Sequence, residues 1–169
     1  MTRHSLSASL AASFVVVALT AASAAQSGAP QAALEQDLNR IREATRPFHD
    51  MEAAQRAGYP SMLPQCIENQ PEGGMGHHYT HAGYMDDKLE LEKPEILVYA
   101  PTRNAKPRFA GVEYVVPYSA WTKTEAPRIL GQSLKRSDSL QIWYLHVWLW
   151  EANEKGIFAD WNPSVSCKP

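Results

Sequence analysis

RFAGVEYVVP, residues 108–117, alternates its larger apolar side chains in the way a strand with two different faces requires. Period-two alternation puts Val112, Tyr114 and Val116 on one face and Glu113 with Val115 on the other, so that Glu113 is an acid among apolar neighbours. On its N-terminal side, Ile96 to Tyr99 is a short apolar strand bounded by Pro94 and Pro101. The polar turn from Thr102 to Pro107 makes the two a hairpin. On the C-terminal side, Ser119 to Ser139 contains Pro127 and Gly131 and reads as a long loop with a helical turn. Beyond it, Leu140 to Trp150 is the strongest strand in the chain. The same alternation separates Leu145, Val147 and Leu149 from His146, Trp148 and Trp150.

The segment ahead of these strands is helical. Leu34, Leu38, Ile41, Thr45 and Phe48 recur at spacings of four and three, with Glu35, Asp37, Arg40 and Arg42 on the other faces. Pro47 kinks this helix or opens a second one that runs through Met51 and Ala54 and stops at Gly58. Tyr59 to Gln70 reads as an irregular connection and Gly156 to Pro169 as an irregular tail. This order predicts an α+β domain in which an N-terminal helical pair packs on a mostly antiparallel sheet of about four strands. A nuclear-transport-factor-like cone and a ferredoxin-like barrel both satisfy it.

Residues 1–24 read as a signal peptide. Arg3 and His4 form the polar start, Leu10 to Ala22 the apolar run, and Ala22-Ser23-Ala24 a small-x-small cleavage site. Residues 25–31 read as a linker and 32–169 as one compact domain, large enough to bury a core. The expected location is the periplasm or the exterior, with no membrane span in the mature form. The net charge of −2 offers no basic field for nucleic acid. In an oxidising compartment the two cysteines, Cys66 and Cys167, are expected to form a disulfide, because they are distant in sequence and neither belongs to a Cys-x-x-Cys motif.

Candidate chemistry gathers in EGGMGHHYTHAGY, residues 72–84, which holds three of the six histidines among four glycines. Imidazole is the commonest metal ligand and the side chain that titrates nearest neutral pH, which makes His77, His78 and His81 candidate ligands or proton carriers. Glycines let the backbone approach a ligand or turn sharply. His49 lies near the helical junction and reads as a capping or surface residue outside the site. Glu113 and His146 join the candidates because a buried carboxylate needs a partner and histidine is the one available. The competing reading puts Glu113 on a solvated face and leaves His146 a core residue bonded to a carbonyl.

The runs GGMGHHY, GVEYVVP and LHVWLWEANEKGIFADWNPSVSC, with Ala-Gly-Tyr at the helix end, resemble a widespread set of exported bacterial proteins of uncharacterised function. The likeness covers Phe48 to Cys167. In that pattern the positions of His78, Tyr79, Glu113, His146, Asp160, Asn162 and Cys167 recur, while the position of His77 is often apolar. The resemblance implies no particular activity.

Three functions follow from these residues. The first is binding of a divalent metal, zinc or copper, by His78, His146 and Glu113 with His77 or His81 completing the set. In the second, Glu113 and His146 are catalytic, a metal-free acid/base pair acting on a molecule stacked against Trp148 and Trp150, with Tyr79 nearby. The third is a non-catalytic small-molecule carrier whose tryptophans hold an apolar ligand.

Overall fold

The computed structural model describes Met1 and residues 22–62, 65–104 and 106–168. Helix α1 (Ala22–Thr45) is followed by a 3-10 turn, Arg46–His49, with Pro47 in its first positions, and by α2 (Met51–Arg56). The Asp50 side chain accepts a hydrogen bond from Glu52 N at 3.1 Å and so caps α2. Residues 25–31, expected as a linker, belong to α1. The expected signal segment lies, apart from Met1 and its last three residues, outside the described residues.

Among the described residues nine strands follow: β1 (Ser61–Met62), β2 (Ile67–Asn69), β3 (Gly73–Thr80), β4 (Ile96–Ala100), β5 (Arg108–Pro117), β6 (Arg128–Ile129), β7 (Gln132–Ser133), β8 (Lys135–Ser137) and β9 (Ile142–Trp148). Seven of them form a curled antiparallel sheet in the order β1-β3-β4-β5-β9-β8, with β2 also paired to β3. Strands β6 and β7 make a separate ribbon. The class is α+β in a single domain, and the sheet is larger than the four strands expected. The strands not expected are β3, whose glycines hide it, and the two- and three-residue β1, β2 and β8. Gly73 has φ +108°, and a Cβ there would stand 2.2 Å from Asn162 O. The glycine admits the C-terminal tail, which pairs with the strand through Gly74 and Asn162.

The two faces of the sheet are covered differently. Leu97, Tyr99, Val112, Tyr114, Val116, Leu145 and Val147 form the main core with Leu38 and Ile41 of α1. Leu38 and Ile41 are buried as the helical stripe predicts, whereas Leu34 and Phe48, at its ends, are only partly covered. Three core tyrosines fasten the flanking segments to the sheet: Tyr59 donates to Pro94 O (2.7 Å), Tyr99 to Phe48 O (2.6 Å) and Tyr114 to Leu91 O (2.6 Å). The opposite face carries Ile96, Val98 and Val115, with Trp148 and Val165 beside them in a smaller cluster. The tail crosses this second face.

Among the described residues four hydrogen bonds tie the tail to β2 and β3. Asn162 N donates to Gly74 O, Gly74 N to both Asn162 O and Val165 O, and Cys167 N to the Glu68 carboxylate at 2.6 Å. The expected disulfide is present between Cys66 and Cys167, with Cα atoms 5.6 Å apart. Among the described residues no helix is long and apolar enough to cross a membrane.

Candidate functional site

Beneath the tail, β3, β4, β5 and β9 present His78, Ile96 with Val98, Glu113 and His146 on one face. In the pairing register, His78 lies opposite Val98, and Glu113 lies between Ile96 on one side and His146 on the other. Strands β3 and β9 are three ladder steps apart, about 14 Å in a flat sheet. The imidazole rings of His78 and His146 nevertheless have centroids 5.9 Å apart, edge to face. Side chains leaning inward over a curled sheet close that gap, which makes this face concave. His78 Nε2 stands 3.6 Å from Glu113 Oε2, a close approach just beyond a hydrogen bond.

All three groups are buried: His78 is 2% exposed, Glu113 6% and His146 0%. Burial pushes the Glu113 carboxyl up to about 8, with Asp160 adding to the rise and Lys135 opposing it. Burial likewise takes His78 down to about 4 and His146 well below its ordinary value, and each ring suffers from a neighbouring histidine, His77 for the first and His78 for the second. Both directions disfavour charge, so the pair at neutral pH is a protonated carboxyl facing a neutral imidazole rather than an ion pair. His78 Nδ1 and both nitrogens of His146 have no hydrogen-bond partner. A buried imidazole without a partner is costly in a structural role and is the atom type a ligand satisfies.

A cavity of about 370 Å³ opens onto this floor. His78, Glu113, Tyr144 and Asp160 supply its polar surface. Ile67, Met75, Ile96, Ile142 and Trp161 wall it, and Ser137, Ser139 and Leu140 also line it. Asp160 comes from the tail, where Lys135 Nζ holds its Oδ1 at 2.5 Å and the Tyr144 hydroxyl donates to its Oδ2 at 3.3 Å. His146 lies behind the floor and does not line the cavity. The indole of Trp148 backs it, with centroids 4.4 Å apart and its Nε1 donating to Ala159 O at 2.7 Å.

The remaining predicted site residues stand elsewhere. His77 and Tyr79 alternate with His78 along β3 and fall on the helix side, where Tyr79 packs edge to face on Tyr99. His81 follows β3 and stacks on Tyr84 with centroids 3.6 Å apart, close against Gly58 and Tyr59. Neither His77 nor His81 joins His78, Glu113 and His146. Strand β9 ends at Trp148, so the alternation stops there. Trp150 turns toward the main core, 4.6 Å from the His49 ring. His49, read as a capping or surface residue outside the site, is exposed and lies against this indole, away from the cavity.

Sequence reasoning missed Lys135, Tyr144 and Trp161, and reached Asp160 only through the resemblance. Lys135 sits on a three-residue strand inside a stretch that reads as loop, and no local signal marks it. A buried acid outside the site, Glu95, was also missed. Its carboxylate accepts a hydrogen bond from Val115 N at 2.9 Å, and burial pushes it up to about 8. Its signal was available, since it stands between Pro94 and the apolar run of β4.

Compared with family models, curated proteins and solved structures, the chain matches none.

Proposed function

We propose that the cavity binds a small organic molecule and that Glu113 and His78 serve it as proton donor and proton acceptor. One observation carries this reading: a carboxyl and an imidazole, both buried and 3.6 Å apart, lie on the floor of an apolar-walled cavity of about 370 Å³. That volume falls in the range of ~300–1,000 Å³ usual for ligand sites. A carboxyl raised toward neutrality and an imidazole kept uncharged are the forms general acid/base chemistry uses. His146 and Trp148 support the floor by holding His78 and Glu113 in place from behind.

The test is calorimetric titration of the purified protein with small apolar molecules, against an Ile142→Trp variant that fills the cavity. Binding that Ile142→Trp abolishes supports the reading. Equal binding by both proteins removes it.

The unpartnered nitrogens of His78 and His146 favour a second reading, a divalent metal ion, zinc or copper, on His78, Glu113 and His146. As they stand the residues do not fit one, because among the described residues no three His, Cys, Asp or Glu side chains are arranged to hold a metal. Metal content after equilibrium dialysis decides the matter. One equivalent of metal, lost in His146→Ala, would make the second reading the better one.

Export to the periplasm or beyond completes the proposal. The apolar run at Leu10 to Ala22, the disulfide and the resemblance to exported bacterial proteins support it. A mature N-terminus near Ala25, read by mass spectrometry, is the expected result.

A further inference from the structure

The floor of the cavity is rich in hydrogen-bond acceptors and poor in donors. Glu113 has two oxygens and at most one proton, and Asp160 has two more oxygens. The donors are the Glu113 proton, one ring N–H of His78 and the hydroxyls of Ser137, Ser139 and Tyr144, the last already given to Asp160. Among the described residues no lysine or arginine lines the space. Lys135, beside the cavity, is committed to Asp160 Oδ1 at 2.5 Å and to Phe158 O at 3.2 Å. His78, nine-tenths and more buried, lines the same space with its Nδ1 unpartnered.

From this inventory we infer that the cavity takes an apolar primary amine, its ammonium group seated between Glu113 and Asp160 with Glu113 releasing its proton to solvent as the cation enters, and that it disfavours carboxylates. The inference rests on the reading of the cavity as a ligand site. An ammonium carries three donors and no acceptor, which complements the floor. The rings of Trp161 and Tyr144 add π faces that attract a cation. The apolar body lies against Ile67, Met75, Ile96 and Ile142. A carboxylate would be repelled by Asp160 and would meet no lysine or arginine among the described lining residues, leaving the Glu113 proton as its one acidic partner.

The experiment titrates the full protein with three molecules of one shape, 3-phenylpropylamine, 3-phenylpropanol and 3-phenylpropanoate. The amine is expected to bind at least about tenfold more tightly than the alcohol, equivalent to ~1.4 kcal/mol, and the carboxylate not measurably. Glu113→Gln, which keeps the shape and adds donors, is expected to erase the preference for the amine. Asp160→Asn, nearer the cavity wall, is expected to narrow it and serves as the test if Glu113→Gln fails to fold. Binding of the alcohol or the carboxylate as tightly as the amine, or a preference unchanged in the folded variants, would overturn the inference and leave the cavity a ligand site. No binding by any of the three would remove the ligand-site reading itself.

Discussion

Glu113 ties the site to the stability of the protein. Its ordinary value near 4.5 applies when the chain is unfolded and about 8 when folded, so between those values the folded state holds a proton that the unfolded state has released. Its contribution is therefore fully present below pH ~4.5 and lost as the pH rises through 8. Glu95 acts in the same direction over the same window. His78 acts in the opposite sense, its ordinary 6.5 falling to about 4, so it adds stability as the pH rises through that lower interval and nothing above it. Above pH ~6.5 only the two glutamates still act, and unfolding free energy is expected to fall between pH 6.5 and 8. Glu113→Gln should flatten that fall in urea titrations at each pH, and an unchanged slope would show that Glu113 does not titrate there. Gly73 is a second sensitive position. With φ +108° and Asn162 O 2.2 Å from any added Cβ, Gly73→Ala should cost at least ~1–3 kcal/mol, seen as a lower urea midpoint.

The same residues show how far a site is legible before folding. Glu113, His78 and His146 stood out because each interrupts an apolar strand or a glycine run, and a polar group there needs a partner. The alternation rule that separated Glu113 from Val112 also separates His78 from His77 and Tyr79, and applied to β3 it removes both from the cavity. It was not applied because the glycines disguised β3 as a turn. Asp160 and Lys135 carry no local pattern at all, since their roles arise from a tail meeting a short strand across the fold.

At the scale of elements, strands β4, β5 and β9 and the stripe on α1 are written in periodicity, because each buries one continuous apolar face. The two- and three-residue strands β1, β2, β6, β7 and β8 are not, since a strand that short shows no period and exists by pairing with a neighbour. Leu38 and Ile41 are the anchors of α1. Leu38→Ala and Ile41→Ala should each cost ~2–5 kcal/mol in chemical denaturation, with the cavity left intact. A loss below ~1 kcal/mol for both would mean the helix is peripheral to the core.

For the whole molecule, the disulfide closes a loop of 101 residues in sequence separation, worth ~4–5 kcal/mol in the chain-entropy account. Reduction should lower the melting temperature by at least ~5 °C, recorded with and without a thiol reductant. Because Cys66 adjoins Ile67 and Cys167 ends the tail bearing Asp160 and Trp161, reduction should also weaken ligand binding more than it weakens the sheet.

The pairing of Gly74 with Asn162 has a consequence in time as well as in space. The floor of the cavity comes from strands whose neighbours are close along the chain, while its wall depends on a contact that reaches across most of the domain. Closing a long loop is entropically disfavoured until many other contacts repay it, so local pairings form first and distant ones last. The floor is thus assembled before the wall. On this ordering the acid and the imidazoles are expected to gather before the tail lies over them.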